Sequence, residues 1–464
     1  MTDLLRAQHA RWARFEASQF LPSQARGRHP RAGTGFQVRS YASFHAIGGS
    51  MSTDLFQNPP DDPFFEAVAA DDPNDAYAIL RDLREHDPVH PVPGLGFWLV
   101  TRHADVKRLF NDPENVTNDR RAYEHYVPRG EEGSLVRWAE NNGLFAMAPR
   151  DHARVRRLVS VAFRPRAVRR MDSQIRDVVE QYAAPLRGRS GETLDLMNDF
   201  TNPIPNAVIS RITGVPPGGD EVRFRELAQR AIRGFFTFTS DEVKTDSEAA
   251  FTELATWVRE MAKERRDAPR EDLISDLIRA QDDDERLQDD EIITLITGLI
   301  SAGSETTALG GLVAIRALLE HTEAAERMRA DRTLIPNAIN EILRWGFGGP
   351  GGLPRYAIRD FELRGQKIRK GQMLMLSFGG ASRDPRVWPD PDRFDIERDC
   401  RELTVFGGGP HYCMGANLAR SEMGAMVDSA LDILPPGSRP RDDLMTFEPA
   451  GFFKRPTNLP IEVA

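Results

Sequence analysis

A mainly α fold with a minor β-sheet is what this chain of 464 residues predicts, on three observations. Helical periodicity dominates from about Phe110 to His321. Within it, an apolar segment opens at the candidate N-caps Asp289 or Asp290 and closes near His321, long enough for one helix of roughly 45 Å that would cross a whole domain. Strand-like alternation is confined to short stretches early and late in the chain.

Taken in order, residues 1–50 hold seven arginines, no lysine and two acids, the composition of a transit peptide without the apolar core of a secretory signal. The reading is a disordered tail, or an extension ahead of a true start at Met51, with 51–464 as a single domain. Ala76 to His86 reads as a helix and Gly96-Phe-Trp-Leu-Val-Thr101 as a strand. From Pro203 to Asp289, amphipathic helices are separated by Pro216-Pro-Gly-Gly219 and by the acidic run Asp282 to Glu285, which read as loops and not domain linkers. After the long helix, Arg355 to Leu376 is strand-like, with turns at Arg364-Gly365 and Lys370-Gly371. A proline-rich meander, Asp384 to Asp395, leads to a glycine-rich turn and a cysteine. The last helix keeps Met423, Met426, Val427, Ala430, Leu431 and Leu434 on one apolar face.

The formal net charge is −9 and the pI near 5.7, which argues against nucleic acid as a partner, since phosphate binding needs surplus Lys and Arg. Removing the +5 of residues 1–50 leaves −14 on the body (−9 − 5). Two cysteines, Cys400 and Cys413, make no disulfide framework in a chain of this size and fit a reducing cytoplasm. No membrane span is expected, because Glu305 would sit at the bilayer centre of the most apolar segment. The expectation is a soluble monomer with apolar small-molecule partners.

Chemistry concentrates in Phe406-Gly-Gly-Gly-Pro-His-Tyr-Cys413-Met-Gly415. Backbone N–H groups of the turn and the N-terminus of the following helix should lower the thiol pKa of Cys413 and hold it as thiolate, a metal ligand or a nucleophile. Phe406, Gly409, His411, Cys413 and Gly415 together match Phe-x-x-Gly-x-Arg/His-x-Cys-x-Gly, the haem-ligand signature of the cytochrome P-450 family, and the chain resembles that family along almost its whole length after Met51. Ala302-Gly-Ser-Glu305-Thr306 is similar to the family's Ala/Gly-Gly-x-Asp/Glu-Thr, Glu341-Ile-Leu-Arg344 to its Glu-x-x-Arg, and Pro391-Asp-Arg393-Phe394 to its Pro-x-Arg-Phe. This chain has Glu305 where many relatives have Asp.

The resemblance implies a large helix-rich domain with haem b between the long helix and the cysteine-bearing segment. Cys413 would then ligate iron, with Phe406 as a shield and Gly409 letting the turn approach the sulfur. Ala302 and Gly303 would make room for dioxygen, and Thr306 and Glu305 would bring a hydroxyl and protons. Against this, a mid-helix threonine often bonds back to the i−4 carbonyl. Asp151-His152-Ala-Arg-Val-Arg156 resembles His-x-x-x-Arg, so His152 and Arg156, with Arg355 and His411, would hold the propionates. Glu341, Arg344 and Arg393 would be structural.

Arg154 and Arg157 read as solvated charge. With Arg164, Arg166, Arg169 and Arg170 they form a basic stretch suited to an acidic ferredoxin or a flavodoxin, itself served by a reductase. The run Gly346-Phe-Gly-Gly-Pro-Gly-Gly352 lacks the Lys-Ser/Thr of a phosphate loop, and five glycines in seven residues predict open space above the haem or a mobile connection. Further pocket walls by resemblance are Phe235, Phe236, Phe238, Ile296, Leu299, Phe452 and Phe453. Cys400 matches no family position and reads as structural. The implied reaction is hydroxylation of a lipophilic molecule with O2. The alternatives are oxidative coupling, desaturation or peroxide-driven chemistry on the same fold, or a haem-thiolate sensor without turnover.

Overall fold

The computed structural model describes residues 60–70, 72–160, 163, 165–215, 219–233, 241–279, 281–282, 285–447 and 456–464. Residues 1–50, and Phe235, Phe236, Phe238, Phe452 and Phe453, lie outside the described residues. The chain opens with α1 (Pro63–Ala69) and α2 (Pro73–His86), each begun by an aspartate cap and a proline in the first turn, then β1 (Val89–Val92) and β2 (Phe97–Val100). Then come α3 (His103–Phe110), β3 (Val116–Thr117), α4 (Leu135–Asn142), α5 (Pro149–Ser160), α6 (Pro165–Ala183), α7 (Pro203–Thr213), α8 (Gly219–Arg233), α9 (Asp241–Asp267) and α10 (Leu273–Arg279). The second half holds α11 (Asp289–Glu320), α12 (Thr322–Ala330), α13 (Ile335–Gly346), β4 (Gly352–Ala357), β5 (Met373–Ser377), α14 (Phe378–Ser382) and α15 (Ala416–Ile433).

The sheet runs in the order β1-β2-β5-β4-β3. Phe97-Trp-Leu-Val100 is buried on both faces, as an apolar run without alternation requires, and both its edges are paired, with β1 and with a parallel β5 that sets Met373 opposite Phe97. Phe64 packs edge-on against Phe97 and carries α1 onto this sheet.

The long helix is α11, 32 residues and roughly 48 Å. Its cap is Gln288, not Asp289 or Asp290: the Gln288 side chain and the Glu291 carboxylate form a reciprocal capping box, with Gln288 N–H donating to Glu291 at 2.8 Å. By length and composition α11 could cross a membrane, but α7, α8, α9, α13 and α15 pack around it and make it a core helix. Small residues let one of these, α15, approach closely. A Cβ added at Gly310 would meet the Met423 sulfur at 2.9 Å, and one at Gly311 the Met426 sulfur at 3.1 Å.

Glu341 and Arg344 are fully buried and joined by bonds of 2.6 and 2.7 Å. Arg344 also donates to the carbonyls of Ser382, Pro391 and Arg393, while Glu341 accepts from the Asp395 amide. This knot fastens α13 to the meander. Arg393 does not join it by its side chain, which is 68% exposed and reaches only Asp395. Arg398 enters instead, 3.3 Å from Glu341. The turn through Asp390, at φ 51°, leaves the Arg393 carbonyl inward and its side chain outward. Cys400 is buried in the same knot, its thiol 3.6 Å from Glu341 and pushed up to about 12 by burial and that carboxylate.

The glycine run is closely packed at Gly346, Gly348 and Gly352, while a Cβ added at Gly349 would meet nothing within 4 Å. A Cβ on Gly352 would sit 1.7 Å from Leu376 O, one on Gly348 2.6 Å from Phe378 Cβ, and Gly349 O accepts from Gly379 N–H at 2.9 Å. Glycine is needed because backbone packs on backbone.

Candidate functional site

Gly407 and Gly409 turn at φ 71° and 61°, and a side chain at Gly409 would collide with Phe110 O at 2.6 Å. The turn therefore seats against the end of α3. Cys413 N–H closes it on Phe406 O at 2.9 Å, and Gly415 then caps α15. Cys413 is accessible although protein surrounds most of the thiol, so the sulfur lines a recess and not the outer surface. Burial pushes the thiol up from its ordinary range, against the N–H groups of Gly415 and Ala416 and the charges of Arg156 and Arg420. The expected depression is thus reversed in the protein alone, because desolvation of a thiolate outweighs two amides and two partly screened guanidinium groups. A bound metal cation would reverse the balance again by displacing the proton. Phe406 stands beside the segment with the Arg420 guanidinium 4.3 Å above its ring.

Four basic groups gather next to this recess. The His152 and His411 rings lie 4.1 Å apart, with Phe145 on the other side of His411 at 6.5 Å. Arg355 is 6% exposed, stands over Phe110 at 4.8 Å, and donates to the carbonyl of its own neighbour Pro354. Arg156 donates to Tyr412 O. Burial, helped by His152, Arg355 and Arg156, drives His411 down to about 3, and burial alone takes Arg355 down to about 10. His152 is also lowered by burial and by Arg156, and its Nε2 is buried with no hydrogen-bond partner among the described residues. Among the described residues no carboxylate acts on His152, His411 or Arg355. Arg355 is a buried positive charge without a counter-charge, which is costly, and the neutral His152 and His411 rings beside it can donate hydrogen bonds, so this cluster fits an anionic ligand. Two propionates on a flat apolar ring system have the required charge.

Arg154 departs from expectation. It is largely buried and paired with Glu291 at the start of α11, while Arg157, Arg166, Arg169 and Arg170 are exposed.

On α11, Ala302, Thr306 and Leu309 are exposed at i, i+4 and i+7 in a helix otherwise mostly buried. A Cβ on Gly303 would meet nothing within 4 Å. The helix thus carries an open stripe. Thr306 Oγ1 donates to Ala302 O at 2.7 Å, the back-bonded form, and Glu305 beside it is half-buried. Ile296 is fully buried in the core and lines no opening, whereas Leu299 is partly exposed. Sequence reasoning missed Arg398, Arg420, Phe145, and the exposed Leu309 and Leu353. Arg398, four residues beyond Phe394, had a readable signal as a second arginine closing the meander. The others carry no local motif.

The model of the family described as Cytochrome P450 matches residues 95–456. Cyclomarin C epoxidase CymV of Salinispora arenicola is 35% identical over 371 residues, covering 79% of this chain and 90% of its own. Nocardicin C N-oxygenase of Nocardia uniformis subsp. tsuyamanensis is 34% identical over 374 residues, covering 80% and 90%. The crystal structure of epothilone D-bound cytochrome P450epoK superposes with a TM-score of 0.76 at 29% identity, over 85% of this chain and 98% of that one.

Proposed function

This chain belongs to the cytochrome P450 family, and we propose that Cys413 is the thiolate ligand of its haem b, with His152, Arg156, Arg355 and His411 holding the propionates. The protein is a monooxygenase that uses O2, a small-molecule substrate and electrons from a redox partner. When bound, haem supplies the oxidising power, and thiolate ligation favours O–O cleavage. The observation that carries the residue assignment is the buried Arg355, on which no carboxylate acts, grouped with His152, His411 and Arg156 beside the accessible thiol.

Each neighbouring residue then has a task. The amides of Gly415 and Ala416 stabilise negative charge on sulfur. Gly409, held against Phe110 O, fixes the turn at the height from which Cys413 points into the recess. Ala302 and Gly303 leave room on the opposite wall. The Thr306 hydroxyl gives its own hydrogen to Ala302 O and so keeps an oxygen lone pair facing the cavity, where it accepts a proton-bearing neighbour. Glu305 is the carboxyl that brings protons to it. The exposed apolar Phe145, Leu309 and Leu353 favour a lipophilic substrate. The reaction placed first is hydroxylation. Relatives are named as an epoxidase and an N-oxygenase.

The electron donor is a ferredoxin or a flavodoxin. It docks on Arg157, Arg166, Arg169 and Arg170, because α6 packs against α15, the helix that starts at the cysteine segment. Residues 51–464 act as one domain, a monomer of the cytoplasm. Cys413→Ser tests the ligand: the variant loses the red-shifted Soret band of the reduced carbon monoxide complex, and survival of that band rejects Cys413.

A further inference from the structure

α5 rests on an apolar stripe and is gripped at both margins of it. The stripe is Val155, Leu158 and Val159, buried on one face, and among the described elements α5 lies closely along no other helix or strand. Apolar contact is not directional, so by itself it leaves a short helix free to roll about its axis. The side chains at the margins decide the roll. On one margin stand His152 and Arg156, one turn apart and turned to the cluster, where the His152 ring meets His411 at 4.1 Å and Arg156 donates to Tyr412 O. On the other margin stands Arg154, whose guanidinium reaches both carboxylate oxygens of Glu291, one of them at 3.4 Å.

Glu291 is itself fixed, because it closes the capping box on Gln288 N–H at 2.8 Å in the first turn of α11. Its two neighbours carry weaker pairs. Asp289 meets Arg266 and Asp290 lies 3.8 Å from Arg259, with side chains 39–69% exposed, whereas Glu291 and Arg154 are 9% and 20% exposed. Solvent screens the outer two pairs and largely spares the inner one. Of these three, only Arg154–Glu291 can hold a helix in place.

We propose that Arg154 and Glu291 are positioning residues: their pair sets the roll of α5 against α11 and so aims His152 and Arg156 into the cluster. Neither residue belongs to the cluster itself. The inference rests on the reading of the cluster as the propionate site. Without the pair α5 rolls on its stripe, His152 and Arg156 turn away together, and the propionates lose two donors at once.

The test uses the haem-loaded protein and removes the charge alone. Glu291→Gln keeps the capping box, which Gln serves as Glu does, and Arg154→Met keeps the apolar stem. From each variant haem passes to an apomyoglobin acceptor about tenfold faster than from the wild type, the worth of one charge-assisted bond. The double variant is no faster than the faster single one, since both remove one contact. The reduction potential of the haem falls in both single variants, because propionate charge left without donors favours the ferric ion. A merely structural pair would lower stability and leave that potential where it was. Potential and haem transfer unchanged in both single variants, or effects that multiply in the double one, overturn the positioning role. Arg156→Met is the control for the site: if it does not speed haem transfer, the propionate reading fails instead, whatever the Arg154 and Glu291 variants do.

Discussion

The Glu341–Arg344 knot and the His152–His411–Arg355–Arg156 cluster are both buried and charged, and they are opposites. In the knot every charge has a partner at 2.6–3.3 Å and the chain supplies all of them. In the cluster Arg355 is also buried, yet its hydrogen bond goes to a neighbouring carbonyl and burial lowers its pKa to about 10 with no carboxylate to oppose the shift. Charge whose partners the chain itself supplies is structure that is complete in the polypeptide. Unmatched charge at comparable depth suits a molecule the polypeptide does not encode, and the cofactor end of the site proposed above rests on this difference as well as on the motifs.

The contrast breaks if removing a charge does the same thing in both places. The largest effect belongs to the knot. Arg344→Leu leaves the buried Glu341 carboxylate with Arg398 as its one remaining cation and costs about 3–5 kcal/mol, read as a fall in the urea midpoint with or without haem. A smaller effect belongs to another completed site. His90 lies 2.9 Å from Asp62 and 2.8 Å from Asp87. Burial pushes its pKa down, but the two carboxylates outweigh burial and raise it to about 9. The folded pKa exceeds the unfolded value of about 6.5, so the clamp's stabilisation is fully present below pH 6.5 and fades as pH rises through 9. It amounts to roughly 2 kcal/mol for the difference between wild type and His90→Gln at pH 6, nearly gone by pH 9.5, in urea titrations at both pH values.

In the cluster the sign reverses. Arg355→Met removes an uncompensated buried cation and keeps the contact with Phe110, so the haem-free protein gains about 1–2 kcal/mol, while haem is lost faster to an apomyoglobin acceptor. A fall in the stability of the haem-free variant would mean that the cluster is finished structure after all.

Much of this was legible in the sequence. Cys413 and its glycine turn, the 32-residue helix and the Glu-x-x-Arg pair are local patterns, and local patterns survive folding. What escaped depends on depth and on distant neighbours. The capped cysteine looked like a thiolate because helix and turn are readable and desolvation is not. The glycine run looked open because glycine signals missing side chains, whereas here Leu376 O and Phe378 fill the space. On the apolar face of α15, Glu422 is buried and its carboxyl is raised well above the usual range by desolvation, and no periodicity announces that. Ile296 and Leu299 lie three residues apart on one helix, and only packing separates the core residue from the partly exposed one.

The smallest effect sharpens the knot itself, because two arginines of the meander compete for one role. Arg398, 10% exposed, bonds Glu341 and the carbonyls of Pro389, Asp390 and Arg393. Arg393 contributes its carbonyl to the same network and leaves its side chain in solvent. Arg398→Gln therefore removes one partner of a buried carboxylate that keeps Arg344, a loss of about 1 kcal/mol. Arg393→Gln keeps the carbonyl and stays within about 0.5 kcal/mol of wild type. Paired urea titrations decide between them. A larger loss at Arg393 would mean that the meander turns the other way at Asp390, which would carry the Arg398 side chain out of the core and leave Glu341 with a different third partner.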